Sequence, residues 1–159
     1  MLLPRLMQLI ESNADKLTDE VLQEIAKSPR LAELKTREDE VLRKRVRGLY
    51  HDIGAWLAER DEVRLEEMFG GFGRHRRADG TPLDEVVYAL IMVKSHLLSF
   101  IERNDVTDQP MELAQLRHLL GDIGRFFDRA IYHTVYGFVH ASPQDQVAGA
   151  AAAAARRAR

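Results

Sequence analysis

Apolar residues recur at intervals of three and four along almost the whole chain, which is the spacing of helices that bury one face. The densest run begins at Pro82. Leu83, Val86, Leu90, Val93, Leu97 and Phe100 form one stripe, Val87, Ile91 and Leu98 a second, and Tyr88, Met92 and His96 a third. An amphipathic surface helix needs only one such stripe, so this helix is predicted to be covered by neighbours on most sides. Its start is marked by the turn pair Asp79-Gly80, by Thr81 as a cap, by Pro82 at the first helical position, and by Asp84-Glu85 at the positive end of the macrodipole. It is predicted to end near Asn104.

The remaining chain divides in the same way. Leu6, Ile10, Leu17, Val21 and Ile25 predict a helix over about Pro4 to Lys27, stopped by Ser28-Pro29. Asn13 and Asp15 lie inside it and compete for local backbone bonds, so its first turns could form a separate short helix. Thr36-Arg37-Glu38-Asp39 resembles a capping box, and Leu42, Val46, Leu49, Ile53 and Trp56 predict a second helix as far as Arg60. Trp56 reads as a core residue, and the outer Arg43, Lys44, Arg45 and Arg47 read as a solvated face paired with nearby acids. Asp61 caps a shorter third helix carrying Val63, Leu65, Met68, Phe69 and Phe72. Gly70, Gly71 and Gly73 interrupt it, implying a kink, a close helix approach or, less in keeping with their surroundings, a phosphate cradle. No strand precedes these glycines and no Gly-Lys-Ser/Thr follows them. The last long helix starts at Pro110 and carries Leu113, Leu116, Leu120, Ile123, Phe127, Ala130, Thr134 and Phe138. Gly121, Gly124 and Gly137 suit close approach or bending.

These elements predict an all-α helical bundle of four long helices and one short one, with globin-like crossing as the alternative. Residues 1–143 form the folded domain, and residues 144–159 form an Ala/Arg-rich extension of high intrinsic helicity. At 159 residues, with 45% hydrophobic and 30% charged content, the chain has enough material for one real core. It has no Cys, which excludes disulfides and thiolate chemistry within the chain and fits a reducing compartment. The formal net charge of −2 gives no global pull toward nucleic acid or anionic lipid. The N-terminus lacks the plan of a signal peptide, and no apolar run is long enough to cross a membrane. The expectation is a cytoplasmic protein that uses neither nucleic acid nor membrane.

The segment Arg76-Arg77-Ala78-Asp79-Gly80-Thr81-Pro82-Leu83-Asp84-Glu85-Val86, preceded by Phe72-Gly73-Arg74, resembles the N-terminal regulatory domain of RsbRD-type proteins, the bacterial stressosome co-antagonists. Similar domains stand before histidine kinases and other signalling modules. Weaker similarity runs from Leu6 to Phe138. The resemblance implies a sensory or regulatory role and brings no active site with it. In such proteins a connecting helix and an output domain follow, so the chain is expected to be either a free-standing relative or an excised sensor.

Candidate chemistry rests on six histidines and one basic cluster. His51, His75, His96, His118, His133 and His140 show no H-E-x-x-H, no i,i+4 pair and no Glu-x-x-His repeat, so no metal site is predicted. His96, with Tyr88 and Met92, could face a pocket. If Tyr132, His133, Tyr136 and His140 of the last helix met that stripe, a ligand cavity with Tyr88, Met92, His96, His133 and Tyr136 would result. The plainer reading makes His96 a core histidine with one hydrogen bond. A rival to the regulatory reading is a globin-like haem or tetrapyrrole protein with His96 or His133 as axial ligand. Arg74, Arg76 and Arg77 have three readings: neutralising the end of the third helix, binding an anion or partner carboxylate, or keeping the surface soluble. The resemblance favours at least one of them fixing the helix junction through a buried carboxylate. The function expected is non-catalytic: a signal-transduction domain, dimeric through its last helix, that passes a change on to an output domain or protein partner.

Overall fold

The computed structural model describes residues 2–36, 39–104, 107, 109–144, 151, 154, 155, 157 and 158. It is all-α, with no strand among the described residues. The helices are α1 (Leu2–Ser12), α2 (Ala14–Lys27), α3 (Asp39–Glu59), α4 (Glu62–Ala78), α5 (Leu83–Arg103) and α6 (Pro110–Val139), with a 3-10 turn at Leu34–Thr36. The apolar stripes read from the sequence form the core: Leu6, Ile10, Leu17, Val21, Ile25, Leu42, Val46, Leu49, Ile53 and Trp56 are all buried.

The separate first helix left open by Asn13 forms, and the third helix differs from expectation. The first predicted helix is two, because Asn13 breaks it: its side-chain amide donates to the Leu9 carbonyl, and α2 restarts at Ala14. The third helix is not short, since α4 runs 17 residues straight through its glycines, and Val63 on it is 65% exposed. The fold therefore holds more helices than the four long and one short expected. The capping box at Thr36-Asp39 falls partly outside the described residues, as does most of the 144–159 extension.

Backbone contact explains the glycines of α4. A methyl group on Gly73 would lie 2.0 Å from the Thr134 carbonyl oxygen of α6, and one on Gly137 would lie 2.2 Å from the Gly70 carbonyl oxygen. The two helices meet main chain to main chain, and theirs is the most extensive interface in the fold. Thr134 is fully buried there and returns its hydroxyl to the Ala130 carbonyl.

Helix α5 packs against α2, α4 and α6. Val86, Leu90, Val93, Leu97, Phe100 and Ile101 are buried among them. One strip stays open, with Tyr88 38% and Ile91 44% exposed. The expectation of cover on most sides holds, except along that strip.

The α3 end is tied to α6. Arg60 follows the helix with φ 56°, and its N–H donates to the Trp56 carbonyl at 2.8 Å. This left-handed stop is usually left to glycine. The Arg60 guanidinium lies over the Trp56 ring and donates to Asp122 of α6 at 2.5 Å, while Arg125 donates to the other oxygen at 2.7 Å. These two bonds hold the Asp122 carboxyl at about 2, below its ordinary 3.8. A depressed carboxylate stabilises the fold above its unfolded value, and that contribution disappears as pH falls from 3.8 toward 2. Asp122→Asn should therefore cost about 1 kcal/mol at neutral pH and little at pH 2, as measured by urea denaturation at both pH values.

Candidate functional site

The junction between α4 and α5 is built by the motif residues themselves. Helix α4 ends in a Schellman arrangement: the Thr81 N–H donates to the Arg76 carbonyl at 3.1 Å and the Gly80 N–H to the Arg77 carbonyl at 3.3 Å. Gly80 takes φ 76°, where a Cβ is strained, so glycine belongs at this position. Asp79 then turns inward. Its carboxylate accepts from the Thr81 N–H at 3.1 Å and the Thr81 hydroxyl at 2.5 Å, and it faces Arg76 Nη2 at 2.9 Å. Arg76, Asp79 and Thr81 are all buried. Burial makes removal of either charged partner costly, since it would leave the other uncompensated.

The arginine cluster separates into distinct tasks. Arg76 forms the buried carboxylate pair that holds the junction. Arg77 reaches α6, lying over the Phe138 ring at 5.3 Å and within 3.5 Å of the Phe138 carbonyl. Arg74 is exposed and folds back along Gly70 and Gly71. Arg45 of α3 and Arg76 each lie 5.4 Å from the Phe72 ring, which draws α3 into the same cluster. Burial lowers the Arg45 pKa and the neighbouring Asp79 charge raises it. Thr81 does not cap α5: Pro82 occupies the N-cap position, and the Thr81 hydroxyl is directed to Asp79.

Glu85 completes the junction from the other side. Its buried carboxylate accepts the N–H of Leu34 at 2.8 Å and the N–H of Glu33 at 3.1 and 3.2 Å. The start of α5 is thereby fastened to the 3-10 turn after α2. In the sequence Glu85 is indistinguishable from Asp84, and both suit a helix N-terminus. Only the arrival of a segment 51 residues away separates their roles.

The histidine and tyrosine candidates fall into two neighbourhoods. Tyr88, Met92 and His96 line an open groove of ≈ 650 Å³ between α2 and α5, with Glu20, Glu24 and Lys27 on the α2 wall. His96 Nε2 bonds the Glu24 carboxylate across it. The nitrogen that would ligate haem iron is thus occupied in a groove open to solvent, and the residues around His96 do not fit a haem site. His133 and Tyr136 lie instead on α6 in an aromatic row. The Tyr132 ring is 5.3 Å from His133 and 6.2 Å from Tyr136, and Tyr136 stacks on His140 at 4.0 Å. Tyr132 is 61% and Tyr136 53% exposed. The five residues therefore do not share one cavity. Among the described residues no group of three metal-ligating side chains is brought together.

A second cavity sits at the α3–α4 turn, lined by Asp52, Trp56, Glu59, Asp61 and Arg64. At ≈ 20 Å³ it has room for about one water and none for a ligand. Burial raises the Asp52 carboxyl, with His51 and Arg64 opposing.

The fold is thus an all-α helical domain with a closely packed α4–α5 junction and a last helix that keeps Tyr132, Tyr136 and Val139 exposed. The chain belongs to the family described as the RsbT co-antagonist protein rsbRD N-terminal domain, whose model matches residues 11–153, and is a signalling-related regulatory domain. No curated protein and no solved structure matches it. No described helix is long and apolar enough to cross a membrane.

Proposed function

We propose that this domain is a non-catalytic, cytoplasmic input module of a bacterial signalling protein. It receives a ligand or protein partner at the groove of Tyr88, Met92 and His96 and passes the change to the end of α6. One observation carries the reading. The Arg76–Asp79–Thr81 cluster joins the end of α4 to the start of α5, Glu85 ties that start to the turn after α2, and Arg77 touches Phe138 near the end of α6. In this reading movement of α5 is carried through α4 to the last turn of α6, supported by the backbone contact at Gly73 and Gly137, which leaves α4 and α6 little room to slip independently. Two packings of such a junction, differing in affinity for the signal, would make the switch.

The exposed row of Tyr132, Tyr136 and Val139 supports a homodimer through α6, continuing toward an output domain or partner. In this reading His133 and Tyr136 serve an interface rather than a pocket, and exposed Arg74 is the member of its cluster placed to meet a partner's carboxylate.

Amide hydrogen exchange tests the coupling. Glu85→Gln weakens the junction without touching α6, and the expected result is faster exchange at residues 134–140 as well as at 33–36 and 83–86. Change confined to the latter two segments would overturn transmission. Sedimentation equilibrium that finds only monomer across the accessible concentrations would remove the dimer.

A further inference from the structure

We propose that the cavity at the α3–α4 turn is a binding site for one ordered water, which accepts the Trp56 indole N–H and donates to the carboxylates of Asp52 and Asp61. The water joins the last turns of α3 to the cap of α4. This site lies outside the junction and the groove, and does not depend on the regulatory reading.

The demand comes from Trp56. Its side chain is buried, and its Nε1 has no hydrogen-bond partner among the described residues. Two groups cover the ring: Phe126 of α6, with centroids 5.9 Å apart, and the Arg60 guanidinium, 4.6 Å from the ring centre. Neither offers an oxygen or nitrogen that could accept the indole proton. Buried donors of this kind are paired in nearly all folded proteins, with the protein itself or with an ordered water.

The cavity that Trp56 lines supplies the rest. Its ≈ 20 Å³ exceeds the roughly 10–15 Å³ of such space that one water needs, and its wall carries Asp52, Glu59, Asp61 and Arg64. Asp52 stands one turn before Trp56 on α3 and is half-buried. Burial raises its carboxyl, the mark of a charge short of solvation. Asp61 gives Oδ1 to the Arg64 N–H as the cap of α4, and a carboxylate keeps further lone pairs for a second donor. Glu59 and Arg64 face each other at 3.7 Å and are both exposed, so they pair at the surface. This lining selects water over an ion. A metal cation cannot accept the indole N–H, and an anion is repelled by the carboxylates and cannot donate to them. Water does both, and its three bonds here are the usual number for a buried molecule.

Trp56 is the sole tryptophan, so its indole N–H gives an unambiguous resonance. Water-selective cross-relaxation spectra of the isotope-labelled full chain at neutral pH test the site. The expected result is a cross-peak between the indole proton and water whose sign differs between the laboratory-frame and rotating-frame experiments, as it does for a held molecule. Hydrogen exchange gives the same sign in both. No hydroxyl lines the cavity to relay such a signal. The Arg64 guanidinium protons could imitate it, so the cross-peak should survive Arg64→Met. Asp52→Ala removes an acceptor and opens the cavity, with a residue that suits a helix, and should abolish the cross-peak while the amide spectrum elsewhere stays in place. Absence of the cross-peak, equal sign in both experiments, loss in Arg64→Met, or persistence in Asp52→Ala would each overturn the proposal. The first two outcomes need no variant, so the unaltered chain can sink the site by itself.

Discussion

Replacing Gly137 by alanine is expected to destabilise the domain by about 3 kcal/mol, with a fall in Tm of about 6–12 °C. The added methyl would sit 2.2 Å from the Gly70 carbonyl oxygen, so two main chains, not a flexible side chain, would have to move apart. Gly73→Ala should behave alike, because its methyl would lie 2.0 Å from the Thr134 oxygen. Gly124→Ala on the same helix is the control. Nothing lies within 4 Å of its added carbon, so the higher helix propensity of alanine should raise stability by about 0.5–1 kcal/mol. Thermal and urea denaturation of the three variants checks the contrast. Similar effects at Gly124 and Gly137 would show that α4 and α6 do not meet main chain to main chain.

The functional consequence follows from position. Gly137 lies next to Phe138, whose carbonyl and ring Arg77 touches, so a methyl there would press on the contact linking the motif to the end of α6. A stability loss and a change in signalling output should therefore arrive together at Gly137, whereas Gly124→Ala should leave output alone.

Helix periodicity was legible because a single rule governs it. Spacing places Leu6, Ile10, Leu17, Val21 and Ile25, Leu42, Val46, Leu49, Ile53 and Trp56, and Val86, Leu90, Val93, Leu97 and Phe100 inside, and these are buried, whereas Leu83 of the same stripe is half-buried and Leu113 of the last helix is 54% exposed. The break at Asn13 was signalled by its competing side chain, although no rule of spacing fixes whether such a residue bends a helix or divides it. The three glycines of α4 gave the opposite lesson. Their propensity cost suggests interruption, yet the contact with α6 makes their lack of a side chain an advantage, and tertiary packing overrides propensity. The single pocket expected from Tyr88, Met92, His96, His133 and Tyr136 does not hold together, since spacing ranks residues around one helix and says nothing about which stripes of two helices meet. Tyr88, Met92 and His96 do share a groove because they share a helix face, while His133 and Tyr136 belong to another face of another helix. Arg76 was recoverable as a junction residue only through the motif, because a run of four basic residues looks uniformly solvated until Asp79 is seen to turn inward.

Glu85→Ala is expected to cost about 3 kcal/mol, the second large effect, and for a different reason. The carboxylate receives two backbone N–H groups of the turn after α2, and Leu34, which supplies the closer one, is itself buried. Alanine would leave both donors without that acceptor in a site with little access for water, a penalty larger than the net worth of the bonds themselves. Asp84→Ala separates this from the dipole effect: Asp84 is exposed in the same first turn, so its loss should cost about 0.5 kcal/mol. Glu85→Gln should fall between the two at about 1 kcal/mol, because an amide oxygen can still accept while its NH2 must turn away from the same donors. If urea denaturation gave Glu85→Ala and Asp84→Ala similar losses, Glu85 would be no more than a helix-end acid. The path from α2 through the junction to α6 would then lose its first link.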